Sequence, residues 1–593
     1  MSDYQAPVED MDFVLQHVAG VADLADYDAF GHVDPADVVG ILEEAGRFFS
    51  EVVAPTNRIG DTQGSRRNSD GSVTTPDGIA DAYQKMVEAG WGAMSFDPEY
   101  GGGGFPGVIG LAVQEMLTSA NMGFSLCPLL TQGAIHLLDS HASEKQKLTW
   151  IPKMVTGEWT GTMNLTEPQA GSDVGALTTK AVRNDDGTYA ISGQKIFITW
   201  GDHDVADNIV HLVLARTTDA PPGTKGISVF IVPKFLLNED GSIGDANSLE
   251  CVSLEHKLGI HCSPTAVMSF EDATGYLIGE EQTGMRSMFT MMNSARLSVG
   301  LEGLALAERS YQQAVQYSFD RTQGGRPGLA KGEAAPIVEH PDVRRMLLTM
   351  KSYIEAMRGL CYVNAKAMDD AQYGGDADTR QAGQELAEVL TPLSKAWCTD
   401  LGNELTSLGV QVHGGMGFVE ETGAAQHYRD IRIGAIYEGT NGIQAIDLIG
   451  RKLPIRDGAA VGELLDQTQS YAEDLNGDLA SLAKPLTDGV SACRESSAWL
   501  LTNRGDAALA GATPYLRLLS TVVAGGYMAK GAAAAQAELD AGATGERAEF
   551  LSQKLVTATF FIEQLVPAQV GLMPSIMSGN DILANYHPVP LTP

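Results

Sequence analysis

The chain is short of positive charge. Its 40 Lys and Arg stand against 75 Asp and Glu, a formal charge of -35. A surface of that sign repels polyanions, which argues against nucleic acid or anionic membrane as main partners. Any phosphate-rich ligand then depends on local basic residues or helix N-termini. Cysteine is scarce as well: six are scattered through 593 residues without CxxC or Cys/His spacing. They read as reduced, partly buried thiols, so a zinc site is not expected and a reducing cytoplasm is. The N-terminal MSDYQAPVEDMDFVLQHVAG has no basic region before an apolar run, and so does not read as a signal peptide. No apolar run approaches the roughly 20 residues of a membrane span. These absences lead to the expectation of a soluble cytoplasmic protein without a bound metal.

At 593 residues the chain is too long for one core. To about residue 158 the periodicity is helical. Leu42, Ala45, Phe48, Phe49 and Val52 form a stripe that Pro55 is expected to end. A loop follows at Gly101 to Gly104. It contains a formal G-x-G-x-x-G at Gly102, Gly104 and Gly107, but helical sequence precedes it and Pro106 sits inside it, so the dinucleotide reading fails on context. From 159 to 275 the period is two. Short β-branched runs such as Lys195 to Thr199 and Ile227 to Val232, separated by turn residues, predict an antiparallel sheet or small barrel. Helical spacing returns over 276–452. Pro392 interrupts one long stripe there, either kinking a helix or following a Thr391 that caps a new one. The segment 453–593 is Ala-rich and helical, and reads as a packing or dimerisation domain. The fold class is therefore α+β and multidomain: 1–158 N-terminal extension and helical domain, 159–275 β domain, 276–452 helical bundle, 453–593 extra C-terminal helical domain.

One loop carries chemistry. In Tyr437-Glu438-Gly439-Thr440-Asn441, between Ile431–Ile436 and a helical run Ile443, Ile446, Leu448 and Ile449, a carboxylate sits on a Gly-rich bend. Gly439 allows a ligand close to the backbone. A desolvated Glu has a raised pKa and can take a proton from carbon near neutral pH. Glu302, on the preceding long helix, reads as a structural residue. Asp202, His203, Asp204 and Asp207 lack ligand spacing and read as a solvated loop.

Four stretches in this order resemble the acyl-CoA dehydrogenases over residues 40 to 450. They are Leu165-Thr166-Glu167-Pro168-Gln169-Ala170-Gly171-Ser172-Asp173, Lys195-Ile196-Phe197-Ile198-Thr199-Trp200-Gly201, Gln411-Val412-His413-Gly414-Gly415-Met416-Gly417-Phe418, and Tyr437 to Gln444. The resemblance implies FAD as cofactor and α,β-desaturation of an acyl-CoA thioester, with Glu438 removing the α-proton and the β-hydrogen leaving as hydride to flavin. It further implies that Thr166, Ser172, Phe197, Thr199, Arg321, Gln411, Gly415, Thr440 and Asn441 bind the cofactor. Arg321, Gln411 and Gly415 would reach the FAD of a second subunit in a homodimer. Ser172, Met292, Asn293, Arg296, Tyr437 and Gly439 would contact substrate, and electron-transfer flavoprotein would accept the electrons. Where some members carry the base on an earlier helix, this chain has Ala295. Trp200 reads as a core or interface aromatic and His413 as structural. Gln169, where many members have Gly, and the C-terminal domain look most like the members that act on 3-(methylthio)propanoyl-CoA in dimethylsulfoniopropionate catabolism. A general short- or medium-chain fatty acyl-CoA dehydrogenase is the alternative, and a non-catalytic scaffold is the reading from outside the enzymes.

Overall fold

The computed structural model describes residues 4–34, 36–330 and 332–590, except for the Asn293 side chain. The chain forms two compact units, Met1–Ala6 with Gly40–Ser298, and Pro7–Val39 with Val299–Pro593.

In the first unit, helices precede and flank a seven-stranded sheet. Helix Asp37–Phe48 does not stop at Pro55. It passes through a π-turn at Phe49–Val53 into helix Ala54–Gln63, with Pro55 in its first turn. The widened turn tolerates the missing N–H there. Helices Gly107–Ala120 and Met122–His141 are buried on nearly every side, which explains their uniformly apolar sequence.

Strand Thr265–Leu277 pairs with Tyr189–Thr199, which pairs in turn with Lys180–Arg183, and Leu249–Leu254 lies outside. Strand Ile227–Pro233 joins Thr265–Leu277 to Asn208–Thr217, closing the sheet on itself. Most pairings are antiparallel, as expected, but Asn208–Thr217 runs parallel to both Trp159–Asn164 and Lys180–Arg183. Its neighbours arrive there from the far side of the ring rather than through hairpins, and their short runs carry no signal of direction. The interior holds Ile191, Ile198, Val213, Phe230, Val232, Met268 and Phe270.

His203 and His211 are buried beside this core. They meet the hydroxyls of Thr160 at 2.9 Å and Thr162 at 2.7 Å. Asp202 is buried and ion-paired to Lys234 at 2.6 Å. The expectation of a solvated loop at 202–207 is therefore wrong for its first two polar residues, because the fold tucks them against the sheet. Burial, with the Lys234 charge nearby, pushes both histidines down to about 3. The unfolded chain thus binds more protons than the folded one below the ordinary histidine range. Stability is expected to fall as pH drops from about 6.5 toward 3, with each histidine steepening the loss by up to about 1.4 kcal/mol per pH unit. Urea unfolding at several pH values, for the wild type and His211→Gln, measures this, and the variant should show the shallower acid slope.

The second unit is helical. It contains the residues from Val299 onward of helix Gly284–Asp320, with helices Pro341–Tyr373 and Ala377–His413. Ala377–His413 runs unbroken through Pro392. The Thr391 hydroxyl bonds back to Ala387 O at 2.7 Å, so it caps no new helix. The C-terminal helices pack on this bundle, centred on Asp506–Asp540, whose Leu516, Leu519, Val522 and Val523 are buried. Each such side chain contributes about 1.5–3 kcal/mol. Trp397 donates to the Thr521 hydroxyl at 3.1 Å, and Tyr353 meets Phe561 edge-on.

Residues Pro7–Val39, grouped by sequence order with the first helical domain, belong to this second unit. Asp10 is buried among Lys351, Arg358 and Lys554, and Phe13 packs with Leu551 and Ala535. Against expectation, helix Asp506–Asp540 and the run Gly545–Met577 are long and apolar enough to cross a membrane. The first is mostly buried within the protein. The second turns Glu549, Ser552, Gln553, Glu563 and Gln564 outward, a polar face unsuited to lipid.

Candidate active site

In the first unit, a buried ion pair welds two of the motif stretches together. Lys195 Nζ lies 2.8 Å from Glu167 Oε1 and donates to Leu165 O at 3.0 Å, with both side chains buried. Glu167 also accepts from the backbone N–H and hydroxyl of Thr178 and of Thr179 at 2.5–3.0 Å. Ile196 N donates to Thr166 O at 2.9 Å. Burial pushes the Glu167 carboxyl up, but the Lys195 charge and these hydrogen bonds outweigh it and hold it at about 2. The pair is ionised at neutral pH. Gln169 Nε2 donates to Glu167 Oε2 at 2.7 Å and reaches the Thr178 hydroxyl at 3.1 Å. A glycine at that position could make neither contact.

Phe197 does not follow ordinary strand geometry. Between the pairs Lys195↔Met268 and Ile198↔Ala266 the register slips, and Phe197 takes φ 59. A bulge at a non-glycine residue in the left-handed region is costly and re-aims its side chain. Phe197 is 58% exposed, next to buried Ile198 near the end of strand Tyr189–Thr199. The Thr166, Ser172 and Thr199 hydroxyls have no hydrogen-bond partner among the described residues. Trp200 is buried, its indole donating to Gly123 O at 3.1 Å, so it is a core residue. Met292 is half-buried and Arg296 buried on helix Gly284–Asp320. The Asn293 side chain lies outside the described residues.

In the second unit, Tyr437 to Thr440 form a loop between the short 3-10 helix Arg432–Ala435 and helix Asn441–Asp447. Glu438 is half-buried with φ 55, another left-handed non-glycine residue at a motif, as Phe197 and Trp200 are. The loop is braced from several directions. The Tyr437 hydroxyl donates to Glu302 Oε2 at 2.5 Å. Buried Gln444 donates to Glu438 O and Gly439 O, each at 3.3 Å. Thr440 caps the following helix, accepting from Ile443 N at 3.3 Å.

Asn441 departs from its expected role at the cofactor. It accepts from Lys395 Nζ at 2.8 Å and donates to Asp400 Oδ1 at 2.7 Å and Ala396 O at 3.1 Å. With both ends of its amide engaged, it anchors the loop to helix Ala377–His413. Arg321 is exposed and has no ion pair or side-chain hydrogen bond among the described residues. Gln411 and Gly415 are exposed at the end of helix Ala377–His413. His413 Nδ1 donates to Gly409 O at 2.7 Å and the ring packs against Tyr317, which is a structural role.

The groups fit FAD. In the first unit an exposed aromatic wall and uncommitted hydroxyls suit an isoalloxazine, and in the second the Arg321 guanidinium suits a pyrophosphate. Sequence reasoning missed Glu302 and Lys395 as parts of the base loop's setting. The signal available was their position on helices otherwise apolar toward the core.

Family models match most of the chain in order: the acyl-CoA dehydrogenase N-terminal domain at 37–158, the middle domain at 162–273 and the C-terminal domain at 282–453. The acetyl-CoA dehydrogenase C-terminal-like model matches 461–586. The chain is 47% identical over 570 residues to 3-methylmercaptopropionyl-CoA dehydrogenase of Ruegeria pomeroyi, covering 95% of this chain and 96% of that protein. It is 35% identical over 588 residues to a butyryl-CoA dehydrogenase of Syntrophomonas wolfei, covering 96% of each. Caenorhabditis elegans ACDH-11 in complex with C11-CoA shares the fold at TM-score 0.79 and 19% identity, over 98% of this chain and 96% of that one. An acyl-CoA dehydrogenase complexed with FAD from Bacillus anthracis does so at 0.69 and 22% identity, over 86% and 85%. A chain in the structure of the electron transferring flavoprotein of Acidaminococcus fermentans aligns at 0.58 and 28% identity, over 71% and 98%. The chain belongs to the acyl-CoA dehydrogenase family.

Proposed function

We propose that the protein is an FAD-dependent dehydrogenase that introduces an α,β double bond into 3-(methylthio)propanoyl-CoA, with Glu438 as the base. The observation that carries this is the base loop itself: a carboxylate held in a strained left-handed turn by Glu302, Gln444 and Asn441. A turn of that cost is kept where it serves function.

Glu438 takes the α-proton, and desolvation by a bound acyl chain strengthens it as a base. The backbone N–H of Glu438, together with a hydroxyl that bound FAD would supply, stabilises the thioester oxygen as negative charge develops, and Gly439 lets the thioester approach the backbone closely. Tyr437 and Met292 line the acyl chain, and Ser172, Asn293 and Arg296 hold the CoA ester. Bound FAD supplies the two-electron acceptor for the β-hydrogen. Phe197 and Thr199 orient the flavin ring, and Thr166 and Ser172 donate to its edge and pyrophosphate. Thr440 keeps its hydroxyl hydrogen for the same ligand. Arg321, Gln411 and Gly415 reach the FAD of the partner subunit in a homodimer. Electron-transfer flavoprotein takes the electrons, and the buried thiols favour a cytoplasmic setting.

The substrate follows from 47% identity over nearly the whole chain to a relative named for that thioester, with Gln169 in the weld. Apolar pockets separate near-isosteres by only about 1–3 kcal/mol, so butanoyl-CoA is expected to be a slower substrate rather than a dead one. With an artificial electron acceptor, kcat/KM for 3-(methylthio)propanoyl-CoA should exceed that for octanoyl-CoA by at least about tenfold. Equal or faster octanoyl-CoA turnover would move the reading to general fatty acyl-CoA oxidation. A purified protein that takes up no FAD would leave only the scaffold.

A further inference from the structure

We infer that Glu302 is a positioning residue of the reaction, holding the base loop in its working geometry through the hydrogen bond between its buried carboxyl group and Tyr437. This rests on Glu438 being the base.

The placement begins with glycine. A Cβ on Gly303 would lie 2.1 Å from Cys398 O, and one on Gly300 2.5 Å from Ser394 O. The helices carrying them, Gly284–Asp320 and Ala377–His413, therefore cross backbone to backbone. Glu302 sits between these two glycines and is wholly buried. Its Oε2 accepts from the Tyr437 hydroxyl at 2.5 Å, while Oε1 has no partner. An ionised carboxylate offers about four acceptor sites and is costly to bury with one filled. Burial accordingly pushes Glu302 up to about 8, with the Glu438 charge adding to the rise and Tyr437 and Lys395 opposing it. Burial and the Glu302 carboxyl likewise hold the Tyr437 phenol neutral, well above its ordinary range.

Stabilisation does not account for such a group. In the folded chain it keeps its proton well above the pH at which the unfolded chain releases it. The folded state thus binds more protons between about 4.5 and 8, and stability falls as pH rises through that window. A glutamine would keep the hydrogen bond without that loss. What the acid supplies is a fixed partner for the residue immediately before the base. Below about pH 8 it is neutral, which keeps a second negative charge away from Glu438. Above about pH 8 the Glu302 carboxylate adds a second negative charge beside Glu438, and the repulsion between them strains the turn that holds the base.

The test compares wild type, Glu302→Gln, Glu302→Leu and Glu438→Gln as FAD-loaded enzymes. It measures kcat and KM from pH 6 to 10, and melting temperature at pH 7 and 8.5. Wild-type kcat should decline through an inflection near pH 8. Glu302→Gln should keep kcat within about threefold at pH 7, lose that inflection and melt higher than wild type at pH 8.5. Glu302→Leu should lose at least about tenfold in kcat with KM little changed, since displacing a reacting group acts on the chemical step. A Glu302→Gln profile that keeps the wild-type inflection, a wild type without one, or a Glu302→Leu enzyme with full kcat would overturn the inference. Should Glu302→Leu fail to fold, the Glu302→Gln profile still decides. A fully active Glu438→Gln enzyme would remove the base and this inference together. An inactive one beside an unchanged Glu302→Gln profile removes the inference alone.

Discussion

Glu438→Gln is expected to lower kcat for acyl-CoA desaturation by about 10²–10⁴-fold, the range general-base catalysis supplies. The amide has the same volume and still accepts hydrogen bonds, but it cannot take a proton from carbon. Tyr437, Gln444 and Asn441 brace the loop, so the turn should survive. FAD content and affinity for a non-reactive acyl-CoA should then match the wild type, and the loss should fall on kcat rather than KM. Glu438→Asp, which draws the carboxylate back by one methylene, should lie between the two. Position 295 is alanine, and Glu302 is wholly buried with its carboxyl pushed up to about 8. Full activity in Glu438→Gln, measured with an artificial acceptor under single-turnover conditions, would refute the assignment.

Lys195→Met is expected to be the most damaging change in the first unit, costing about 3–5 kcal/mol of stability. It strands the Glu167 carboxylate in the interior with only neutral donors, and it releases Leu165 O. The two stretches that carry Thr166 and Thr199 are joined through this pair and through Ile196 N to Thr166 O. FAD occupancy should therefore fall together with melting temperature. Adding Glu167→Gln removes the buried charge and should recover part of the loss. A double-mutant cycle would read that recovery as a coupling of a few kcal/mol, about 1–3. The pair also sets an acid limit. The folded-state pKa of Glu167 lies below its unfolded value, so its contribution is present above about pH 4.5 and is lost as pH falls toward 2. A Lys195→Met enzyme with wild-type melting temperature and flavin content would show the pair to be dispensable.

Much of this was legible from residues alone. Period changes placed the helical and β parts, and the Gly-rich loop at 101–104 failed as a dinucleotide site for the reason given by its helical flanks. The chemistry-bearing stretches were found by residue type and order. Trp200 went to the core and His413 to a structural role, where the structure places them. Other features had no local signal. Phe197 sits in a β-branched run that predicts a plain strand, and only the register slip against Met268 and Ala266 turns it outward. Asn441 reads as a loop amide facing a ligand, yet its partners Lys395 and Asp400 lie more than forty residues earlier. Asp10 sits in what reads as an extension of the first helical domain, and it is the buried counter-charge for three basic residues of the second unit.

By itself, then, the sequence determined the kind of chemistry: which side chains exist to take a proton, hold a phosphate or wall a flavin, and which segments are helix or strand. These follow from side-chain type and short-range periodicity. Only the tertiary structure decided which of those groups are free to act. Whether a carboxyl group stands half-buried in a turn or wholly buried against a single partner, as at Glu438 and Glu302, depends on burial and on partners far away in the chain. So does whether an amide binds a ligand or the protein's own helix. Those quantities are set by how helices cross and strands register, and no window of sequence contains them.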